Sequence, residues 1–140
     1  VVMLAAMIPV GQALETSGIS LNIANFISSS TAGMALPWLI LMVLVITMFV
    51  SDIVNNAATA VIMAPIAANL AIQVGQPVEP FLMAVAVGAS CAFLSPIGHQ
   101  CNTLVMAPGN YKFGDYWRLG LPLECVIVAI SIPMILFVWT

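Results

Sequence analysis

The sequence predicts an all-α membrane protein, and three observations lead to this fold class: composition, the length of the apolar runs, and the residues that interrupt them. Hydrophobic residues make up 63% of the 140 residues and charged residues only 5%, whereas a soluble domain is roughly a quarter charged. A spanning helix needs about 20 apolar residues. The apolar runs, separated by short polar gaps, cover 38–50, 57–74, 81–94 and 121–139.

Charge and cysteine content exclude several classes of function. The chain has only two basic residues, Lys112 and Arg118, so it offers no basic surface to a nucleic acid. Its three cysteines match no zinc-binding or disulfide spacing, and we interpret them as small apolar packing residues. They are Cys91, Cys101 and Cys125.

The N-terminal part predicts one truncated and one short helix. Residues 1–14 have no initiator Met, basic segment or cleavage site, so they indicate the end of a spanning helix in a fragment whose missing part lies upstream. Residues 19–27 predict a helix at the membrane interface, because their apolar side chains recur at helical spacing; an ordinary structured loop is the alternative. These side chains are Ile19, Ile23, Phe26 and Ile27.

Residues 37–74 predict a re-entrant helical hairpin. The run 38–50 rises only about 20 Å as a helix, less than the roughly 30 Å hydrocarbon core. It ends in a polar stretch with two adjacent asparagines, Asn55 and Asn56, and asparagine favours turns over helix. The alternative is one long helix over 38–64 with these polar residues buried against neighbours.

Residues 81–107 predict a discontinuous helix. The apolar run is interrupted over 95–103, where Pro96 lacks a backbone donor and Gly98 tolerates unusual backbone angles. Such an interruption inside a membrane requires that the backbone lines a cavity or packs against protein.

The last part of the chain predicts an interfacial loop and a final spanning helix. The segment Pro108–Gly120 is aromatic and carries both basic residues, so the positive-inside rule places it in the cytoplasm. Residues 121–139 are long enough to span. We expect a multi-pass protein of a bacterial inner membrane.

The two interruptions are the candidate functional sites. If their ends meet near the middle of the membrane, helix N-termini offer N–H groups to an anion, while carbonyl and side-chain oxygens hold a cation. Polar groups at this depth cost several kcal/mol each when unpartnered. The side-chain oxygens at the two interruptions come from Ser51, Asn55, Asn56, Thr59, Asn102 and Thr103.

These stretches also resemble a known family. Asp52–Ala60 followed by Pro65 resembles the second Ser-Asn-Thr signature of the divalent-anion:sodium symporters, within the citrate transporter-like superfamily. Ser95–Thr103, with the Pro-Gly and Phe-Gly-Asp-Tyr stretches that follow it, resembles the next helix break and its exit loop. The Asn-Asn and His-Gln-x-Asn variants are similar to a branch often fused to regulatory potassium-channel-type domains. The resemblance covers essentially the whole chain, as the C-terminal repeat of an inverted-repeat permease.

The resemblance implies a sodium site and a substrate site. Asn55, Asn56 and Ala57 stand where the family has Ser, Asn and Thr, and because two of the three differ, carboxylate selectivity is not implied and sulfate is equally plausible. The implied sodium ligands are Ser51, the Val54 carbonyl, Asn56 and the Gly98 carbonyl. The candidate substrate-binding residues are Asn55, Asn56, Ala57, His99, Gln100 and Asn102.

Other polar residues have open roles. His99 is either an anion donor or proton-coupling group, or a structural histidine that bonds the unwound backbone. Asp52 is either a cation or proton ligand, or a cap of the asparagine turn. The other acids are interpreted as interfacial charges without a chemical role. They are Glu15, Glu79, Asp115 and Glu124.

The resemblance implies secondary active transport of a small anion, sulfate or a di- or tricarboxylate, coupled to sodium. The alternatives are a proton-coupled anion carrier, or a channel or structural membrane subunit. An intramembrane enzyme using His99, Cys101 and Asp52 is disfavoured, because no nucleophile motif is present. We expect no cofactor other than sodium as coupling ion. The expected partners are the anion, the lipid bilayer and a second copy of the chain in a homodimer, with no nucleic acid.

Overall fold

The computed structural model describes residues 16–30 and 33–139, together with positions 5, 9, 12 and 13. The predicted end of a spanning helix at 1–14 therefore falls almost entirely outside the described residues. The described part contains helices and no strand, which confirms the all-α prediction. The helices are α1 (Ile19–Ser30), α2 (Leu36–Ile53), α3 (Asn56–Val74), α4 (Glu79–Ser90), α5 (Gln100–Met106) and α6 (Phe113–Trp139).

Three of these helices, α2, α3 and α6, are long and apolar enough to cross a membrane. They contain 18, 19 and 27 residues. At 1.5 Å per residue, 18 residues rise about 27 Å, which is close to the roughly 30 Å of a hydrocarbon core. The chain is a helical membrane protein.

Helix α2 is longer than the sequence predicted. It starts with Pro37 in its first turn and continues through Ser51 and Asp52, which are both buried. The prediction of a half-bilayer arm over 38–50 is therefore wrong, because contacts from distant residues keep these polar residues helical. The helix does end at Val54, so the continuous helix over 38–64 is not formed. The re-entrant course of α2 and α3 stays a prediction.

The discontinuous helix is present. Helix α4 ends at Ser90, and the chain returns to helix only at Gln100, the start of α5. We call the intervening Cys91–His99 stretch the 91–99 segment.

Helix α6 begins within the stretch predicted as an interfacial loop. It starts at Phe113 rather than at 121 and contains Pro122 in its interior. The carboxylate of Asp115 accepts a hydrogen bond from the Lys112 backbone N–H at 2.8 Å, so a side-chain cap fixes the start of the helix. The predicted loop is therefore limited to residues 108–112.

Helix α1 is helical as predicted, but its predicted apolar face is not its packing face. Ser20 and Ala24 are fully buried, whereas Phe26 is 74% exposed. Ser20 lies 3.4 Å from the amide nitrogen of Asn69 on α3. The location of α1 at a membrane interface stays a prediction.

Small residues set the packing of the bundle. Helix α2 packs against α4, and α3 packs against both α1 and α4. A Cβ on Gly88 of α4 would lie 2.9 Å from the Leu44 carbonyl oxygen of α2, so this glycine lets the two backbones approach closely, as is common between membrane helices. Helix α6 is mostly exposed, with Gly120 and Ile135 as its buried residues in the described part.

Candidate ion and anion site at two helix breaks

The first break is a short extended connection between α2 and α3. Asn55 is the N-cap of α3, and its Oδ1 accepts a hydrogen bond from the Ala58 N–H at 2.8 Å. Such a cap stabilises a helix by about 1 kcal/mol. The asparagine turn is thus capped by Asn55 itself.

Ser51 joins three helices at this break. Its side chain is fully buried, and its Oγ lies 3.0 Å from Asn56 Oδ1 of α3 and 2.9 Å from the Ala89 carbonyl oxygen of α4. A hydroxyl carries a single proton, so it donates to one of these oxygens at a time. The end of α2, the start of α3 and the end of α4 therefore meet at Ser51.

The second break lies directly against the first. Gly98 is buried, and a Cβ there would lie 2.8 Å from Ala92 Cβ and 3.0 Å from the Ser51 carbonyl oxygen. Only a residue without a side chain allows the 91–99 segment to rest on the end of α2. Ser51, Asn56 and Gly98, three of the four residues predicted to hold sodium, are thereby brought together. The fourth, Val54, lies in the connection between α2 and α3.

The oxygens at this meeting point suit a hard monovalent cation. They are hydroxyl, amide and carbonyl oxygens, the ligand types that alkali and alkaline-earth ions prefer. Thr59 lies one helical turn after Asn56; it is 0% exposed and its Oγ1 has no hydrogen-bond partner. A buried hydroxyl without a partner costs about 1–3 kcal/mol. A ligand that binds this oxygen would remove the cost.

Asp52 holds the second break instead of capping the asparagine turn. Its Oδ1 accepts a hydrogen bond from the Leu94 N–H at 3.0 Å, and its carbonyl oxygen accepts one from Ser95 Oγ at 2.5 Å. The predicted cap of the asparagine turn is therefore wrong. The aspartate satisfies backbone groups of the 91–99 segment, which lack a helix of their own.

The 91–99 segment is also braced from α5. The Asn102 amide donates to the carbonyl oxygens of Ala92 and Ser95 at 3.0 and 3.2 Å, and Thr103 Oγ1 donates to the Pro96 carbonyl oxygen at 2.6 Å. Irregular backbone at membrane depth requires such partners. Both donor hydrogens of Asn102 are used here, so its side chain supports the backbone of the 91–99 segment and has no donor left for an anion.

The remaining predicted substrate residues lie at the exposed edge of the two breaks. His99 is the N-cap of α5, and its Nδ1 accepts a hydrogen bond from the Cys101 N–H at 3.2 Å. In the neutral tautomer that this bond requires, Nε2 carries the proton. His99, Gln100 and Asn55 are exposed, while Ala57 is half-buried. His99 thus caps the first turn of α5, and its Nε2 lies outside this bond.

Glu124 is an acid that the sequence interpretation placed at a helix end. It lies inside α6, and its Oε1 is buried without a hydrogen-bond partner. The signal was present, because an acid within a long apolar segment is a functional candidate by default. It was overlooked since the helix was predicted to begin at residue 121, which placed Glu124 at a helix end.

The cysteines divide into two groups. Cys91 is buried, as expected for a packing residue, whereas Cys101 and Cys125 are exposed. The packing interpretation is confirmed for Cys91, while Cys101 and Cys125 lie outside the hydrophobic core of the described residues.

Interrupted helices whose polar ends meet inside a bundle of membrane-spanning helices define the class of membrane transport proteins. The sequence profile of the citrate transporters matches residues 1–140, and the chain belongs to this family. This confirms the predicted resemblance and the prediction that the chain is not an enzyme.

Curated relatives agree with this assignment. An uncharacterised transporter of Synechocystis is 38% identical over 95% of the chain and 22% of its own length. The sodium/sulfate cotransporter 2 of Chlamydomonas reinhardtii is 30% identical over 91% of the chain and 15% of its own length. A sodium-dependent high-affinity dicarboxylate transporter of Caenorhabditis elegans is 31% identical over 84% of the chain and 21% of its own length. The chain thus spans about a fifth of these relatives.

Proposed function

We propose that this chain forms half of the binding site of a secondary active transporter, which carries a small divalent anion together with sodium. The observation that carries the proposal is the meeting of the two helix breaks at Ser51. Its buried hydroxyl contacts Asn56, and its carbonyl oxygen lies against Gly98. Among relatives named for a substrate, one is a sodium/sulfate cotransporter and another a sodium-dependent dicarboxylate transporter.

Sodium would bind at the meeting point of the breaks. Ser51 Oγ, Asn56 Oδ1 and the carbonyl oxygens of Val54 and Gly98 would be its ligands, with Thr59 Oγ1 as an additional candidate. These oxygens are uncharged, so a divalent ion would keep most of its charge uncompensated there.

The anion would bind at the start of α3. At the start of this 19-residue helix, Asn55 Oδ1 takes the Ala58 N–H, while the N–H groups of Asn56 and Ala57 have no partner within the helix and lie at the positive end of its dipole. Asn55, Asn56 and Ala57 present this surface, and His99, Gln100 and Asn102 would line the opposite break. The adjacent sodium lowers the free energy of an anion in this weakly polar environment.

Uptake by the full-length permease in proteoliposomes tests the proposal. We expect sulfate, or succinate or citrate, to accumulate when sodium is imposed outside, and not when choline replaces it. Asn56→Ala removes Asn56 Oδ1, one of the proposed sodium ligands, and is expected to abolish sodium-driven accumulation. Ser90→Ala is the matched control, because Ser90 Oγ donates only to the Ala86 carbonyl oxygen of its own helix and is exposed.

Two outcomes would contradict the proposal. Uptake that depends on neither the sodium gradient nor the proton gradient would indicate a channel or facilitator. Uptake driven by a proton gradient with no sodium requirement would favour the proton-coupled carrier and a role for His99. Phosphate serves as a specificity control in each case.

A further inference from the structure

Two acidic side chains from different helices meet beside the 91–99 segment. Asp52 of α2 is 6% exposed, and Glu124 of α6 lies within hydrogen-bonding reach of it. Each has one buried oxygen without a hydrogen-bond partner among the described residues: Asp52 Oδ2 and Glu124 Oε1. Neither oxygen belongs to the sodium ligand set discussed above.

The pair has no cationic side chain to balance it. In the described part, the groups that act on the two carboxyl groups are backbone N–H groups and the carboxyl groups themselves. At an effective dielectric constant of 20, two unit charges about 4 Å apart repel each other by about 4 kcal/mol. A buried pair of this kind requires a positive partner.

Backbone N–H groups of the 91–99 segment lie against both carboxyl groups. Leu94 N–H donates to Asp52 Oδ1 at 3.0 Å, and the N–H of Ser95 also faces this carboxylate. The N–H of Phe93 faces the carboxyl group of Glu124. These contacts leave Asp52 Oδ2 and Glu124 Oε1 buried without a partner among the described residues, and carboxyl oxygens in this position can accept a cation.

A further oxygen and a cavity lie beside Glu124. Gly120 lies one turn before Glu124 on α6, and a Cβ there would collide with the Phe93 carbonyl oxygen, which therefore faces the same side of α6 as Glu124. Glu124 also lines a cavity of about 430 Å³ between α2 and α6, whose other described lining residues are uncharged. Carboxylate and carbonyl oxygens are the ligands of small hard cations.

We propose that Asp52 and Glu124 form a second cation site, which holds a small hard metal ion such as sodium between α2, the 91–99 segment and α6. The ion ties the last helix to the two breaks. Its role in coupling rests on the proposed transport function, whereas its binding does not. No third acidic, histidine or cysteine side chain of the described residues completes a transition-metal cluster here.

Thermal unfolding of the purified full-length permease tests the site without any anion. The unfolding midpoint is titrated with sodium chloride against choline chloride at constant ionic strength and pH, and in separate arms with magnesium and with changed pH. Glu124→Gln keeps the size of the side chain and removes its charge. The matched control is Glu79→Gln, which changes an acid in the first turn of α4.

We expect the sodium titration of Glu124→Gln to be shallower than that of the wild type, with a half-maximal concentration at least about tenfold higher. Glu79→Gln is expected to behave like the wild type. The same loss in a magnesium titration also supports the site and identifies a divalent ion. If Glu124→Gln does not fold, Glu124→Asp, which keeps the charge and shortens the side chain, gives the same comparison.

An unchanged ion titration in Glu124→Gln overturns the inference. A wild-type midpoint that responds to pH and not to any metal ion also overturns it, since the pair then shares a proton. If uptake is coupled to sodium but the ion titration of Glu124→Gln is unchanged, the second cation site is refuted and the transport proposal stands. If Glu124→Gln loses the metal response but the permease accumulates no anion, the transport proposal is refuted and the second cation site stands.

Discussion

Thr59 offers a direct probe of the first site at the scale of one residue. Thr59→Val removes a buried hydroxyl that has no partner, so no internal hydrogen bond is lost. We expect an unchanged or higher unfolding midpoint in choline and a weaker response to sodium, measured by thermal unfolding and by sodium-dependent uptake.

Thr47→Val is the matched control for this substitution. Thr47 is equally buried, but its Oγ1 donates to the Val43 carbonyl oxygen at 2.6 Å. Its loss should lower stability by about 1 kcal/mol and leave the sodium response intact. If Thr59→Val lowers the midpoint as much as Thr47→Val and keeps the sodium response, its hydroxyl is not a ligand.

Gly98 tests the close approach of the two breaks. Gly98→Ala places a methyl group 2.8 Å from Ala92 Cβ and 3.0 Å from the Ser51 carbonyl oxygen, and overpacking of this kind costs about 1–3 kcal/mol. We expect a lower unfolding midpoint and loss of uptake. Gly114→Ala, where the methyl group meets nothing within 4 Å, should be neutral in both assays; equal effects of the two would contradict the packing argument.

At the residue scale, the sequence indicated the oxygens of the site better than their partners. Ser51 and Asn56 were predicted as site residues because a polar side chain between apolar runs is costly unless it has a partner or a ligand. The link from Asp52 to Leu94 joins residues 42 positions apart, and no local pattern encodes it. Glu124 was overlooked for a different reason, because the predicted start of the last helix at residue 121 placed it at a helix end.

At the scale of the element, the start of α3 depends on the Asn55 cap. Asn55→Ala removes the hydrogen bond to the Ala58 N–H and should lower stability by about 1 kcal/mol, whereas Asn55→Ser retains a good cap. Chemical denaturation in detergent micelles measures both. An equal loss of stability in Asn55→Ala and Asn55→Ser would show that the Asn55 amide stabilises the protein by a contact other than the helix cap.

The 91–99 segment and α5 should be accessible to water if they line a site. We expect a membrane-impermeant maleimide to label exposed Cys101 in a permease whose other cysteines are replaced, and not to label buried Cys91. Sodium plus substrate should slow labelling of Cys101. Absence of labelling at Cys101 in the folded protein would place α5 in lipid and contradict its position beside a substrate site.

Element positions were predictable and element ends were not. The apolar runs located the helices because helical membrane segments must be apolar along their length. The end of α2 depends on a distant partner, since Ser51 contacts the Ala89 carbonyl oxygen, whereas the start of α6 depends on a local cap by Asp115. A composition-based boundary cannot contain such contacts.

For the whole molecule, α6 is the least buried of the three helices long enough to span a membrane. Ile130 is 59% exposed and Ile135 is 3% exposed. We expect Ile130→Asp to reduce membrane insertion of the chain, by about 2.5–3.5 kcal/mol on insertion scales, measured by glycosylation mapping. Ile130→Leu is the neutral control, and an undiminished insertion of Ile130→Asp would indicate that protein or water covers this face.

The way the 91–99 segment is held has a consequence for how the sequence can vary. Its backbone groups are bound by side chains of other elements, from Asp52, Asn102 and Thr103. Positions such as 94 and 97 can therefore change identity while the path of the chain persists. In a saturation mutagenesis screen, intolerance should concentrate on Asp52, Asn102 and Thr103 outside the segment and on Ser95 and Gly98 within it. The path of this irregular stretch is therefore inherited largely through residues of other elements.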